Sequence, residues 1–342
     1  RHKRSGVDGE ETLSERDYDV VVFGATGFTG ALVAAYLAER YGGNGEVRWA
    51  VAGRSADKLE SLRTGLGGDA SSVDMIVVDS SDAEALANMA ARTRVVLTTV
   101  GPYALYGSAL VAACVAAGTH YCDLAGEVQW IRKMVDKHHE RARETGARIV
   151  HCCGFDSIPM DIGVFFLQQE AMQRHGSYCT DIAMFVKATK GSASGGTLAS
   201  MMNIIKEVRA DKNVARILTD PYSLNPEGER EGPDGRDQQK VLYDDKAECW
   251  TAPFIMAGVN TRVVRRSNAL AGYPYSKDFR YREAVMTGTG TSGWMKGNLM
   301  ALALGALATG IYFNPTRRLL QKFLLPKPGE GPDEKAREAG FF

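Results

Sequence analysis

Residues 18–40 read YDVVVFGATGFTGALVAAYLAER, and this stretch decides the fold. The apolar run VVVF at 20–23 is too short for a helix and rich in β-branched side chains, so it predicts a strand that is buried on both faces. Glycines follow at 24, 27 and 30, and apolar side chains then recur with helical spacing until Gly42. Strand, glycine turn and helix therefore follow one another without a gap.

The glycine turn predicts a dinucleotide-binding site. A diphosphate is held by backbone N–H groups at a helix N-terminus, and larger side chains in the turn would keep it away. A glycine triplet alone is a weak signal, but directly between a buried strand and an amphipathic helix it is much stronger. The alternative, a tight structural turn, would not explain three glycines in seven residues. The predicted cofactor contacts in this turn are Gly24, Thr26, Gly27, Phe28 and Gly30.

The second predicted strand spans residues 47–52, and the sequence just after it favours NADP(H). An NAD site would place an acidic residue there to accept from the ribose 2′-hydroxyl, whereas this chain has Arg54. A guanidinium suits a 2′-phosphate, so NADP(H) is the predicted cofactor; the alternative is that Arg54 is merely a solvated surface residue. Further cofactor contacts are predicted beside Arg54 and at the ends of later strands, at Ser55, Asp79, Gly101 and Pro102.

Strands and helices alternate as far as residue 153. Six strands are predicted, the last at 148–153, with a long helix at 128–145 before it. This alternation predicts the α/β class, with a Rossmann-type doubly wound parallel sheet that binds ligands at the carboxyl ends of its strands. The predicted organisation is a flexible N-terminal tail at 1–16, an NADP-binding domain at 17–153 and a second, α+β substrate domain at 154–342.

Two segments of the second domain have unusual composition. Residues 221–246 are polar and lack periodicity, which predicts a mobile loop. Residues 297–313, GNLMALALGALATGIYF, predict a helix without charge that falls just short of a confident membrane span. Two interpretations of this helix stay open: a buried core helix, and a helix associated with a membrane or a lipid droplet.

Composition argues against several classes of function. Lys+Arg and Asp+Glu number 41 each, so there is no basic excess to indicate a nucleic-acid partner. The six cysteines form no C-x-x-C pair and no zinc spacing, so no metal site is predicted and a reducing compartment is expected. The N-terminal tail is polar and lacks the apolar part of a secretory signal, which predicts a cytoplasmic protein.

Several stretches carry a family resemblance together. They are FGATGFTG at 23–30, AGRS at 52–55, TTVGPYALYG at 98–107, THYCDLAGE at 119–127, HCCGFDSIPMDIG at 151–163, SGGT at 194–197 and LPKPGEGP at 325–332. In these stretches the chain resembles the saccharopine dehydrogenase-like oxidoreductases, in the branch that contains trans-acting enoyl reductases of actinobacterial lipid synthesis and their eukaryotic relatives. Such relatives generally continue past LPKPGEGP, so the chain resembles a copy truncated at its C-terminus.

The resemblance implies an NADP-dependent oxidoreductase and leaves three functions open. The first is an enoyl reductase for a lipid or polyketide acyl substrate, free or bound to a carrier. The second is an amino-acid dehydrogenase of the saccharopine kind, and the third is a catalytically silent NADP-binding protein at a lipid surface. The lack of an evident arginine cluster for a dicarboxylate and the apolar segment 297–313 favour the first. Contact of that segment with a membrane or lipid droplet, and a homodimer, are further hypotheses.

Hydride transfer needs few acid–base groups from the protein, because the cofactor supplies the hydride. The enolate that results must still be stabilised or protonated by groups near the strand ends. The predicted catalytic residues, after the fourth and sixth strands, are Tyr103, Tyr106, Asp156 and Ser157. The alternatives are an aromatic wall for the tyrosines and a helix N-cap for Asp156. The turn at 194–197 is either an anion site or a plain helix cap.

Overall fold

The computed structural model describes residues 16–191, 194–313, 315–317 and 329–341. Residues 1–15 of the predicted tail lie outside this part. Arg16, which the prediction assigned to the tail, is held in place. Its guanidinium donates to the Ala117 carbonyl at 2.7 Å and to Thr119 Oγ1 at 2.9 Å.

Six strands form the first sheet. They are β1 (Tyr18–Phe23), β2 (Trp49–Gly53), β3 (Asp74–Val77), β4 (Thr93–Thr98), β5 (His120–Asp123) and β6 (Ile149–Val150). Their order is β3-β2-β1-β4-β5-β6, and each neighbouring pair is parallel. The strand order reverses between β1 and β4, and ligands bind at the carboxyl ends of the strands at such a point. The predicted doubly wound parallel sheet is confirmed.

Helices cover both faces of this sheet. They are α1 (Phe28–Tyr41), α2 (Ala56–Leu66), α3 (Ala83–Ala91), α4 (Tyr103–Tyr106), α5 (Ser108–Ala117) and α6 (Val128–Thr145). One apolar cluster contains Leu86 of α3, Leu110 of α5 and Met134 of α6. The other contains Leu37 of α1 and Leu59 of α2. Burial of apolar side chains on both faces stabilises a parallel sheet and explains why its strands are nearly continuous apolar runs.

The second half contains a mixed sheet and further helices. The strands are β7 (Asp181–Val186), β8 (Leu242–Asp244), β9 (Cys249–Pro253) and β10 (Arg280–Gly288). The helices are α7 (Ile158–His175), α8 (Gly195–Ala210), α9 (Lys212–Thr219), α10 (Ala257–Leu270), α11 (Gly290–Tyr312) and α12 (Glu334–Glu338). The strand order is β7-β10-β9-β8, with β10 parallel to β7 and antiparallel to β9. The predicted α+β class of this half is confirmed.

Ion pairs anchor the segment that the sequence predicts as a mobile loop. Asp234 Oδ2 lies 2.7 Å from Nε of Arg265, and Asp237 pairs with Arg262. Both arginine side chains are at most 4% exposed. The segment 221–246 is irregular, but its middle is tied to α10 by these pairs and its end forms strand β8. Its mobility stays a prediction.

Helix α11 is largely exposed, contrary to the core-helix interpretation. It approaches the second sheet closely at Gly297, where a Cβ would lie 3.1 Å from Thr287 Oγ1 of β10. Large apolar side chains of this helix are exposed to solvent, with Leu299 69% and Leu302 70% exposed. The buried residues of this helix are Gly293, Gly297 and Ile311, so placing the segment 297–313 as a whole in the core is wrong. Among the described residues, no helix combines the length and the apolar character that crossing a bilayer requires.

Candidate active site

The glycine turn joins β1 to α1 with a close approach of two backbones. Gly24 has a φ of 86°, in the left-handed region that side chains other than glycine rarely adopt. A Cβ on Gly30 would lie 2.2 Å from the Gly24 carbonyl oxygen, so a larger residue would push α1 away from the strand. Thr26 Oγ1 lies 3.8 Å from where a Cβ on Gly53 would be, which places the turn beside the end of β2.

The first turn of α1 presents free backbone donors. Gly27 is the N-cap, no side chain caps the helix, and its first turn contains no acidic residue. The amides of Phe28, Thr29 and Gly30 have no backbone acceptor in the described part of the chain. Such donors and the positive end of the helix dipole favour an anion. The residues present therefore fit the diphosphate of a dinucleotide.

Arg54 and Asp79 follow the neighbouring strands β2 and β3 and interact electrostatically. Hydrogen bonds from the Ser81 hydroxyl and amide, at 2.6 and 2.9 Å, lower the pKa of Asp79, and the charge of Arg54 lowers it further. Ser55 caps α2 by accepting from the Lys58 amide. The Arg54 side chain is exposed at the end of β2, where a 2′-phosphate would lie. The Ser55 hydroxyl is already engaged as the N-cap acceptor of α2.

Glu127 holds the turn at 101–102 and the short helix after it. The amides of Tyr103 and Ala104 donate to its carboxylate at 2.7 and 2.9 Å, and Ser200 Oγ of α8 donates at 2.8 Å. The pKa of this buried carboxyl is raised, because desolvation raises it more than the three hydrogen bonds lower it. Glu127 therefore fixes the carboxyl end of β4 and ties it to the second half. The sequence prediction missed this role.

The C-terminal segment returns to the glycine turn. A Cβ on Gly331 would lie 2.6 Å from atoms of the Phe28 ring, and the Arg337 guanidinium carbon lies 5.8 Å from the centre of that ring. The Gly195 amide at the start of α8 donates to the Glu330 carbonyl at 3.0 Å. The second half of the LPKPGEGP motif therefore borders the glycine turn, while its first four residues lie outside the described part.

Known proteins show where this chain belongs. Residues 20–150 match the model of the saccharopine dehydrogenase NADP binding domain. A Mycobacterium tuberculosis protein, Rv2449c, provisionally named a trans-acting enoyl reductase, is 42% identical over 340 residues, which cover 97% of this chain and 80% of the relative. The trans-acting enoyl reductase of Mycobacterium bovis BCG is 39% identical over 341 residues, which cover 96% and 80%.

The chain belongs to the trans-acting enoyl reductase family. Its predicted class, an NADP-dependent oxidoreductase of the saccharopine dehydrogenase-like group, is confirmed. A more distant similarity is to the solved structure of saccharopine dehydrogenase (L-Glu forming) from Saccharomyces cerevisiae. That structure is 18% identical, with a TM-score of 0.40, over 51% of this chain and 35% of its own.

In this member of the trans-acting enoyl reductase family, the two tyrosines predicted as catalytic have different surroundings. Tyr103 is 5% exposed, and its hydroxyl donates to the Thr98 carbonyl and accepts from the Leu124 amide, both at 3.2 Å. Desolvation raises the pKa of Tyr103. Tyr106 lies one helical turn further and is 45% exposed. These contacts favour a structural role for Tyr103 and leave Tyr106 able to reach a ligand.

Asp156 and Ser157 precede α7. Ser157 is the N-cap residue, so the interpretation of Asp156 as the cap is wrong. The Ser157 hydroxyl donates to Asn260 Oδ1 at 2.8 Å, and the Asn260 amide donates to Glu283 at 3.0 Å. Tyr281 donates to the other Glu283 oxygen, and burial raises the pKa of Glu283 to about 7. Ser157 therefore ends a buried polar chain, whereas the Asp156 side chain is exposed.

Asp123 and His151 form a buried pair that the sequence prediction missed. Nδ1 of His151 lies 2.6 Å from Asp123 Oδ2, to which the Tyr121 hydroxyl also donates at 2.9 Å. The amides of Ala125 and Cys152 donate to the other carboxylate oxygen. The pair fixes the imidazole and joins the carboxyl ends of β5 and β6. Both residues lie in motifs that carry the family resemblance, but no spacing rule predicts their contact.

The turn at 194–197 is a helix cap. Ser194 is the N-cap of α8, and its hydroxyl accepts from the Thr197 amide at 3.4 Å. The Gly195 amide is already used by Glu330, which leaves fewer donors for an anion. A helix cap at this turn is confirmed, and an anion site there stays a hypothesis.

Proposed function

We propose that this protein is an NADPH-dependent reductase of the C=C bond in an α,β-unsaturated acyl thioester. The observation that carries the proposal is the 42% identity, over 97% of the chain, to a relative provisionally named a trans-acting enoyl reductase. The free N–H groups of α1 and the exposed Arg54 support it, because they suit the diphosphate and the 2′-phosphate of NADP(H). The proposed cofactor contacts are Gly24, Thr26, Gly27, Phe28, Gly30, Arg54, Ser55, Asp79, Gly101 and Pro102.

The acyl substrate is proposed to be lipid-like and presented by a carrier. A small dicarboxylate would need free guanidinium groups in the second half. Two arginines there, Arg262 and Arg265, are buried and already paired with Asp237 and Asp234. Their pairing removes these two arginines as ligands for an amino-acid dicarboxylate.

Bound NADPH supplies the hydride that adds to the β-carbon, which leaves an enolate that must gain a proton at the α-carbon. We assign contact with the substrate to Tyr106 and Asp156, because their side chains are exposed near the carboxyl ends of the strands. The proposed role of the Tyr106 hydroxyl is to donate to the enolate oxygen. Tyr103 and Ser157 are proposed to have structural roles, because their hydroxyls are already hydrogen-bonded within the protein.

The direct test follows NADPH absorbance while the protein turns over an enoyl thioester. Turnover is expected, and Tyr106→Phe should lower kcat by about 100-fold, because one donor to the enolate oxygen is lost. Tyr103→Phe is the matched control, since it removes the same hydroxyl from a buried structural site and should leave kcat within a few-fold. Both variants should bind NADPH with wild-type affinity.

Two results would contradict the proposal. Oxidation of saccharopine with NADP, without turnover of the enoyl thioester, would indicate an amino-acid dehydrogenase. Tight NADPH binding without turnover of either substrate would indicate a silent NADP-binding protein.

The exposed part of α11 is proposed to contact the lipid surface from which the substrate comes. Leu299 and Leu302 present apolar side chains to solvent one turn apart. Replacing both with serine should reduce flotation of the protein with phospholipid vesicles and leave turnover of a soluble thioester unchanged. Equal flotation of the variant would contradict this contact. A homodimer stays a prediction, which sedimentation analysis can test.

A further inference from the structure

A cavity of about 360 Å³ lies beside strand β6, between α6, α7 and α10. Its wall is mainly apolar and includes Ile131 and Met134 of α6, together with Leu224 and with Leu270 of α10. None of its lining residues belongs to the glycine turn or follows β2. Pockets for small ligands begin at about 300 Å³, so this cavity is large enough for one.

The cavity wall contains a guanidinium whose charge is not balanced. Arg266 donates from Nη1 to the Leu224 carbonyl at 2.6 Å and forms no ion pair within the described part of the chain. Desolvation lowers its pKa, and the charge of Asp136 raises it. Asp136 is already shared, since Arg132 Nε lies 2.7 Å and Arg230 Nη2 lies 2.8 Å from its oxygens. Three guanidinium groups therefore depend on one carboxylate.

The wall also contains a polar atom that has no hydrogen bond among the described residues. Nε2 of His138 is buried and has no hydrogen bond among the described residues, and His138 lines the same cavity. Burial, with a contribution from Lys137, lowers its pKa, which favours the neutral ring at pH 7. Buried polar atoms without a partner are rare in native proteins. The one carboxyl group among the described lining residues, Asp161, already accepts from Ser267 at 2.9 Å.

We propose that this cavity binds an aliphatic carboxylate, with the carboxylate on Arg266 and the chain along the apolar wall. A carboxylate matches the planar guanidinium and would balance the local excess of positive charge. The aliphatic chain would replace water along Ile131, Met134 and Leu224. The proposal does not depend on the reductase function, because neither Arg266 nor the apolar wall takes part in the proposed reduction, although Ser157 also lines the cavity.

The test is calorimetric titration of the full chain with dodecanoate, below its micelle concentration, and with dodecanol. Saturable 1:1 binding of dodecanoate is expected, and Arg266→Met should weaken it by about 10- to 100-fold while dodecanol binding stays unchanged. Ala142→Phe places a ring in the cavity and should weaken both ligands. Arg174→Met, on the exposed side of α7 and paired with Glu170, is the control and should change neither.

NADPH titration of every variant shows whether it is folded, independently of the acyl ligand. If wild-type protein that binds NADPH takes up no dodecanoate, the proposal is wrong. It is equally wrong if Arg266→Met binds dodecanoate as tightly as wild type, or if saturating NADPH displaces dodecanoate, which would place the ligand in the cofactor site. Should Arg266→Met fail to bind NADPH, Ala142→Phe takes its place in the test. Dodecanoate binding by Ala142→Phe that is as tight as by wild type would then contradict the proposal.

Discussion

The two halves of the molecule bury different kinds of side chain. In the first half, two apolar layers enclose the parallel sheet, and the buried carboxylates Asp123 and Glu127 are satisfied largely by backbone amides. In the second half, Arg262, Arg265 and Glu283 are at most 4% exposed. An apolar layer tolerates small changes, whereas a buried charge depends on one particular partner. The second half should therefore be more sensitive to loss of single polar groups.

The largest effect is expected from Asp234→Ala. The change leaves the Arg265 guanidinium buried without its carboxylate partner, so the free energy of unfolding should fall by about 3–5 kcal/mol. Urea unfolding measures this change. The double variant Asp234→Ala with Arg265→Met should recover part of the loss, because no uncompensated charge remains. A loss below about 1 kcal/mol in the single variant would remove the contrast between the halves.

The next effect concerns pH and Glu283. Burial raises its pKa from 4.5 to about 7, so between these values the folded protein keeps a proton that the unfolded chain has lost. The free energy of unfolding should therefore fall by about 3 kcal/mol as pH rises through this window, and this contribution should then stay constant. Glu283→Gln cannot titrate and should lack this fall. Urea unfolding of both proteins at several pH values gives the difference, and parallel curves would contradict the assignment.

In the first half, the sharpest test is Gly30→Ala. The added Cβ would lie 2.2 Å from the Gly24 carbonyl oxygen, so α1 must move, at about 1–3 kcal/mol of folding stability, and NADPH affinity should fall with it. Gly65→Ala is the matched control, because a Cβ in that part of α2 meets no atom within 4 Å. The control should gain about 0.5–1 kcal/mol and bind NADPH normally. Similar behaviour of both variants would contradict the close packing of α1.

The smallest effect is expected at the cap of α8. Ser194→Ala removes the acceptor for the Thr197 amide and should lower the free energy of unfolding by about 1 kcal/mol. Ser194→Asp keeps an acceptor and should show no loss. A decrease above about 2 kcal/mol for the alanine variant would mean that Ser194 does more than cap the helix.

Sequence was sufficient where structure depends on neighbours along the chain. Glycines 24, 27 and 30 interrupt an apolar run, and that local pattern predicted the turn, the helix after it and the parallel sheet. The strand β6 was predicted at 148–153 but spans only Ile149–Val150, because the backbone that follows turns towards Asp123. Element boundaries of this kind depend on contacts across the sheet.

Sequence was insufficient where side chains far apart in the chain meet. Asp123 and His151, or Gly331 and Phe28, carry no pattern that predicts their contact. Arg265 resembles a surface residue in sequence, yet its ion pair allows it to be buried. The hydropathy of α11 left burial and contact with a lipid surface both open, because average hydropathy does not say which side chains face a neighbouring sheet.

The central claim is that the amides at the start of α1 and the Arg54 guanidinium together hold NADP(H). Calorimetric titration of wild type and Arg54→Ala with NADPH and NADH tests it most directly. Wild type should prefer NADPH, and Arg54→Ala should lose about 10- to 100-fold in NADPH affinity while its NADH affinity stays the same. Folded wild-type protein that binds neither coenzyme, or an Arg54→Ala variant with undiminished NADPH affinity, would contradict the claim.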